Sequence, residues 1–324
     1  MSSGQASQTS NELVVDEFLR TPYWDSSEAE ARLLSADCTL EFPYAPPGMP
    51  KEFPPVKRRV LFDWLRRTVK NWTLVEVEKF LTKDTSRFWV ESRTTADVTW
   101  GGPFSRKFDC THIQLIVVEN GKVSVARTWS DPLAYYLGAG MNLAVFNYSG
   151  KFDKVPAPRP EGIEPPKPAD EKEAAALRQK LFSNFNWPED DGTEQQHGTS
   201  DPQIFTPDFR VNMPFIPVGM QRMFDAGFAE SVNEWMERTV VEWHEARASH
   251  VDEFLDPDVR IVETYGSIGK MQWDPNGAVS GYTQDYVIKI KLQNFQIAEF
   301  KEYLDPINKL ITAGAPIQCF PFFY

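Results

Sequence analysis

The sequence is short of several things, and each shortage excludes something. It has three cysteines, Cys38, Cys110 and Cys319, widely spaced and in no CxxC or Cys/His pattern. A disulfide framework or a structural zinc site is not the expectation; reduced thiols in a cytoplasmic protein are. It lacks a basic excess: the net charge is −12, so the surrounding field repels phosphate backbones and anionic lipid. Neither nucleic acid nor membrane is an expected partner. No apolar run reaches the length of a membrane span, and the opening MSSGQASQTSNE has no apolar signal core. The sequons at Asn71 and Asn147 therefore read as chance matches. There is no GxGxxG, no GxxxxGK[ST], no HExxH and no other metal-ligand spacing. The expectation is no metal, no cofactor, and chemistry carried by side chains.

What is abundant is proline, 25 in all, and its placement is informative. KVPAPRPEGIEPPKP, from Lys154 to Pro168, is poor in large apolar groups and should run extended between domains. With 324 residues the chain suits two domains. The expected boundaries are 1–150, a linker 151–169, and 170–324.

Five further prolines sit in a phrase written twice, PYAPPGM (43–49) and PFIPVGM (214–220). At the same offset WLRRTVKNW (64–72) matches WMERTVVEW (235–243) in five of nine residues. Two agreements at one offset point to a tandem duplication. Each half opens on an expected helix. The first is SNELVVDEFLRT, with Ser10 as its cap; the second is DEKEAAALRQKLFSNF, with Leu177, Leu181 and Phe185 on one face. The Trp-bounded stretches read as second helices. Strand-like segments follow: FWVES against RIVET, then HIQLIVVENGKVSVARTW against YVIKIKLQNFQIAEFKEY. Asn120-Gly121 is a hairpin signal. Alternation in the second copy turns Tyr286, Ile288, Ile290 and Leu292 inward, and the same register turns His112 and Gln114 inward in the first. The expected fold class is α+β: helices packed on one side of an antiparallel meander, twice over.

Helices followed by a long curved antiparallel sheet resemble the nuclear transport factor 2-like (NTF2-like) cone in its SnoaL-like branch. FWVES, the ENGK turn and the ending RTWSDPLAYYL resemble the phenazine-biosynthesis A/B proteins. The resemblance implies a pocket inside each cone, pairing through the sheets, and cofactor-free chemistry on small metabolites. With the duplication, the expectation is that the two domains dock as an intrachain pseudo-dimer in place of the homodimer of single-domain relatives. The family's pocket glutamate falls on Glu302 in the second half and on Thr128 in the first. Its helix histidine falls on Leu61 and Val232, so the chain departs from the family there, and the first half, lacking both groups, reads as a degenerate or purely binding copy.

Glu302 is the acid/base candidate, since burial would raise its pKa toward neutrality. Tyr286 and His112 occupy matching positions, one suited to polarising an oxygen, the other to moving a proton. Trp64, Trp72, Trp235 and Trp243 are candidate aromatic walls, with helix–sheet packing as the other reading. Tyr44, Phe215, Met49 and Met220 would line the mouth. Glu91 and Glu263 are candidate ligand contacts, or partners of Arg67 and Arg238 in structural ion pairs. The function expected is a cofactor-independent tailoring enzyme of secondary metabolism, a cyclase, isomerase or condensation/dehydration catalyst. Its partner is a small aromatic or carbonyl-containing metabolite. The alternative is a noncatalytic binder or accessory protein of such a pathway.

Overall fold

A computed structural model describes residues 3–143, 164–183, 204–220, 222–225, 239–244, 247–273 and 277–322. The chain divides into two units. One is Met1–Leu143 with Ile317–Tyr324, the other Ala144–Pro316. The expected division differs at its end: the last eight residues belong with the first unit.

The first unit opens with helices α1 (Ser3–Arg20) and α2 (Ser27–Leu33). Ser10 therefore lies inside α1 rather than capping it, whereas Ser26 caps α2, accepting from the Ala29 amide at 3.0 Å. Strands β1 (Leu34–Glu41) and β2 (Glu52–Phe53) flank the proline phrase, and helix α3 (Pro55–Thr68) follows. The meander is β3 (Val69–Leu81), β4 (Arg87–Val98), β5 (Arg106–Glu119) and β6 (Lys122–Ser130), closed by α4 (Pro132–Gly138). The sheet order is β2-β1-β6-β5-β4-β3, antiparallel except for β1 beside β6. Asn120 and Gly121 hold φ of 52° and 73°, the left-handed pair of a tight hairpin. Asn294 and Phe295 hold the same conformation in the second unit, without a glycine.

WLRRTVKNW is not one helix. It turns from α3 into β3 at Val69, because Thr68 and Val69 are β-branched and Asn71 takes a left-handed φ of 52°. Asn71 is pinned by the Asp97 carboxylate at 2.7 Å, beside a bulge in the β3–β4 register. Trp64 thus lies on the helix and Trp72 on the strand. Trp243 is likewise on a strand, opposite Gly269, while Trp235 lies outside the described residues.

The core of the first unit packs Val15, Phe18 and Leu19 of α1 and Leu61, Phe62 and Trp64 of α3 against Phe88, Val90, Phe108 and Ile116 of the sheet. The C-terminal Phe320 and Phe322 complete it, 1% and 2% exposed. Phe320 donates its amide to the Pro47 carbonyl at 2.6 Å, and Tyr136 donates to the Gln318 carbonyl at 2.7 Å. Gly48 makes room for this. Its φ is +99°, and a Cβ there would meet the Phe320 carbonyl oxygen at 2.6 Å. Gly48→Ala is therefore expected to cost about 2 kcal/mol or more, from backbone strain plus clash. Gly121→Ala, with φ +73° and open space around it, should cost about 1 kcal/mol. Urea denaturation of both variants checks the difference, and equal midpoints would remove the clash from the account.

The second unit contains α5 (Glu171–Ser183) and strands β7 (Phe205–Asn212), β8 (Met223–Asp225), β9 (Val240–His244), β10 (Arg247–Val251), β11 (Val259–Met271), β12 (Ser280–Gln293) and β13 (Gln296–Leu304). Helix α6 (Pro306–Thr312) follows. The order is β10-β11-β12-β13-β7-β8, with β9 also on β11, and β7 runs parallel to β13 as β1 does to β6. Leu181 and Phe182 of α5 pack on Ile288, Ile290 and Leu292. Leu177 is partly buried there, and Phe185 lies outside the described residues. Gly219 has φ +102°, and the Met220 amide bonds the Pro217 carbonyl at 3.1 Å; the Met49–Pro46 bond of the first unit is 2.9 Å. Both proline phrases are thus the same tight turn, with the glycine where φ must be positive.

Candidate functional site

The inner face of the first sheet is apolar at its ends and polar in its middle. Alternation along β4, β5 and β6 sends Ser92, Thr94, His112, Gln114, Thr128 and Ser130 to one side. Cross-strand pairing sets Ser92 beside His112, His112 beside Ser130, and Gln114 beside Thr128. Two hydrogen-bonded rows result. In one, His112 Nε2 meets Thr94 Oγ1 at 2.7 Å and Nδ1 meets Ser130 Oγ at 2.7 Å, while Tyr135 of α4 shares a hydrogen bond with Ser130. In the other, Ser92 donates to Gln114 at 3.2 Å and Gln114 donates to Thr128 at 3.0 Å.

This block faces a cavity with about 100 Å³ open to the centres of water molecules. One water needs about 10–15 Å³ of such space, so the cavity is ligand-sized. Its other walls are aromatic and aliphatic: Phe18, Tyr23, Trp24, Phe42, Met49, Trp64, Trp72, Trp100 and Phe108. Trp64 stacks on Trp100 at 5.3 Å, and Trp100 on Tyr135 at 5.2 Å. Burial raises the phenol pKa of both Tyr23 and Tyr135.

His112 is buried without a carboxylate partner, and desolvation pushes its pKa down to about 4. It is neutral at pH 7. The folded value lies below the ordinary 6.5, so the unfolded chain binds the extra proton first. Its contribution is complete above about pH 6.5 and is lost as pH falls toward 4, amounting to about 3 kcal/mol. The stability difference between wild type and His112→Gln, measured by urea denaturation at pH 7 and pH 4, is expected to shrink by that order. A difference independent of pH would refute the assignment.

The second unit has its own inner-face cluster. Tyr286 pairs across the sheet with Leu304, and Ile288 with Glu302, which puts Glu302 on the helix-packed face with Tyr286. Tyr282 donates to Gln284 at 3.0 Å and shares a hydrogen bond with Tyr286. Burial raises the Glu302 carboxyl above its usual range, against the opposing charge of Lys309 on α6. Burial lowers the Lys309 ammonium in turn.

Of the residues singled out in the sequence, His112, Trp64, Trp72 and Met49 meet in the first cavity. Tyr44 is buried but is not among the residues lining it. Glu91 alternates with Ser92, so it lies on the opposite face of β4, away from the cavity. Glu263 pairs with Val287, and Val287 with Tyr303, the face opposite Glu302. Phe215 sits 5.3 Å from Tyr303, on that same outer side. Met220 is partly exposed. Arg67 donates to the Asp63 carbonyl of its own helix at 3.0 Å, and Arg238 lies outside the described residues. Ser92, Thr94, Ser130, Tyr135 and Lys309 were not singled out. Their signal was polar residues at period two on a face otherwise apolar, and a polar residue at the same place in DPLAYYL and DPINKLI.

No helix among the described residues is long and apolar enough to cross a membrane, and no metal-binding cluster occurs among them. No family model matches the chain, and no curated protein does. Solved structures do. A phenazine biosynthesis-related protein from Pseudomonas aeruginosa is 14% identical, covering 46% of this chain and 96% of its own, with a TM-score of 0.41. A candidate SnoaL-like polyketide cyclase from Jannaschia is 15% identical over 41% and 94%, with a TM-score of 0.32. An NTF2-like protein from Burkholderia xenovorans is 17% identical over 40% and 96%, with a TM-score of 0.33. What the chain has in common with these proteins is fold: it is similar to NTF2-like structures, with helices on a curved, mostly antiparallel sheet.

Proposed function

We propose that the chain is a small-molecule tailoring enzyme that works by proton transfer between side chains, a cyclase, isomerase or dehydratase of secondary metabolism that needs no cofactor. The observation that carries this is Glu302. Its carboxyl has a raised pKa and shares an inner sheet face with Tyr286. Raising its pKa makes the carboxylate a stronger base toward a proton beside a carbonyl, while a phenol donates to the oxygen on which charge develops. In this reading the first unit is the binding copy, with Thr128 at the position of Glu302 and a cavity walled by tryptophans. The repeated turns and cross-strand registers support a duplication, and with it an intrachain pseudo-dimer.

The test needs no natural substrate. The protein is incubated with a neutral cyclic ketone such as 1-tetralone in deuterated buffer, and exchange beside the carbonyl is followed by NMR. Exchange well above the buffer rate is expected.

A second reading, a noncatalytic carrier or accessory protein, has its own observation. In the cavity of the first unit the histidine is neutral and both its ring nitrogens are held by hydroxyls. Binding of the ketone with no exchange would select it.

A further inference from the structure

We infer that the cavity of the first unit takes an uncharged ligand: a ring or fused-ring molecule with hydroxyl, carbonyl or amide groups at one edge. Carboxylates and ammonium ions are excluded. The inference rests on reading that cavity as a ligand site and adds the class of ligand.

The argument begins with what the wall lacks. Among the described residues lining the cavity there is no lysine, arginine, aspartate or glutamate. The one titratable group that is charged in ordinary solution near pH 6 is His112, and desolvation holds it neutral. An ion entering this space would leave water with no opposite charge to meet, which costs several kcal/mol even after relaxation. An uncharged ring loses nothing comparable and gains apolar burial against Trp64, Trp72 and Trp100.

The polar block is suited to neutral oxygens and amides. Ser92, Thr94, Thr128 and Ser130 carry hydroxyls, each able to donate or accept. Thr128 accepts from Gln114 and keeps a hydrogen it can give. Gln114 itself uses one amide hydrogen on Thr128 and has a second. The edge therefore offers donors and acceptors of dipolar strength and no fixed charge. A ligand with a dipolar edge meets the hydrogens that Thr128 and Gln114 have to spare; a wholly apolar ligand leaves those hydrogens without a partner.

Matched ligands separate charge from shape. Binding of 2-naphthamide, 2-naphthoate and 2-naphthylmethylammonium to the full chain is measured at pH 7 by titration calorimetry and tryptophan quenching. The amide and the carboxylate are nearly isosteric, and both are polar. The amide is expected to bind one-to-one and at least about tenfold more tightly than either ion. Thr128→Phe, which fills the polar edge, is expected to abolish amide binding with the fold intact by circular dichroism. A carboxylate or ammonium compound that binds as well as the amide overturns the inference and leaves the cavity standing as a ligand site. Undiminished amide binding in folded Thr128→Phe overturns the placement. Absence of binding by all three compounds overturns the cavity reading together with the inference. If Thr128→Phe does not fold, the selectivity of the wild-type chain decides alone.

Discussion

A chain ending at Pro316 is expected to lose the stable fold of its first unit. The eight residues removed include Phe320 and Phe322, 1% and 2% exposed in a core otherwise built more than 170 residues earlier in the chain. Phe320 has its ring 6.1 Å from Trp64, 5.6 Å from Trp100 and 5.8 Å from Tyr135. Phe322 lies 4.9 Å from Trp64 and 5.5 Å from Phe53. Removing one buried phenylalanine typically costs about 3–5 kcal/mol. Losing both approaches the whole stability of a domain, about 5–15 kcal/mol. The ligand site should go with them, since Trp64, Trp100 and Tyr135 also line the cavity. Urea denaturation followed by tryptophan fluorescence compares the truncated and full chains, and Phe320→Ala gives the finer measure, an expected loss of about 3–5 kcal/mol. An unchanged midpoint on truncation would show that the tail is dispensable.

Glu302→Gln is expected to lower ketone exchange or turnover by about 10²- to 10⁴-fold, the usual contribution of a positioned acid or base. Ligand affinity should stay within about threefold, because glutamine keeps the shape. Lys309 supplies a second readout. Its charge lowers the pKa of Glu302, so Lys309→Met should move the acidic limb of the pH–rate profile to higher pH. The sign follows from the base needing to be ionised: a higher pKa delays activity to higher pH. Full activity in Glu302→Gln would remove the mechanism. A pH profile unmoved by Lys309→Met would separate the lysine from it.

The legible features of the sequence were those with local causes. Asn120-Gly121 marked the hairpin because two left-handed residues must sit there. The repetition of the Pro-Gly phrases was legible too, and in the structure both are tight turns, with Gly48 and Gly219 at φ near +100°. Alternation placed Tyr286 and Ile288 on one face, and the same register applied to the first half put His112 and Gln114 inward. The misread features had causes elsewhere. Eight-residue spacing of tryptophans fitted a helix, but a bulge at Asn71 and the Asp97 carboxylate ended it. Glu91 matched Glu263 in the repeat, yet similarity of position carries no information about face until one strand neighbour is placed.

The sequence by itself determined the order of the elements, the turns and the inward register, since propensity, alternation and glycine geometry act over a few residues. Only the tertiary structure decided which side chains meet. Thr94, His112 and Ser130 become one network, and Ser92, Gln114 and Thr128 another, because three strands pair in register. The last eight residues become part of the first unit because Phe320 and Phe322 find their apolar surface there. Contacts at such separations depend on which packing buries the most surface with its polar groups paired, a property of the whole chain that no short stretch encodes.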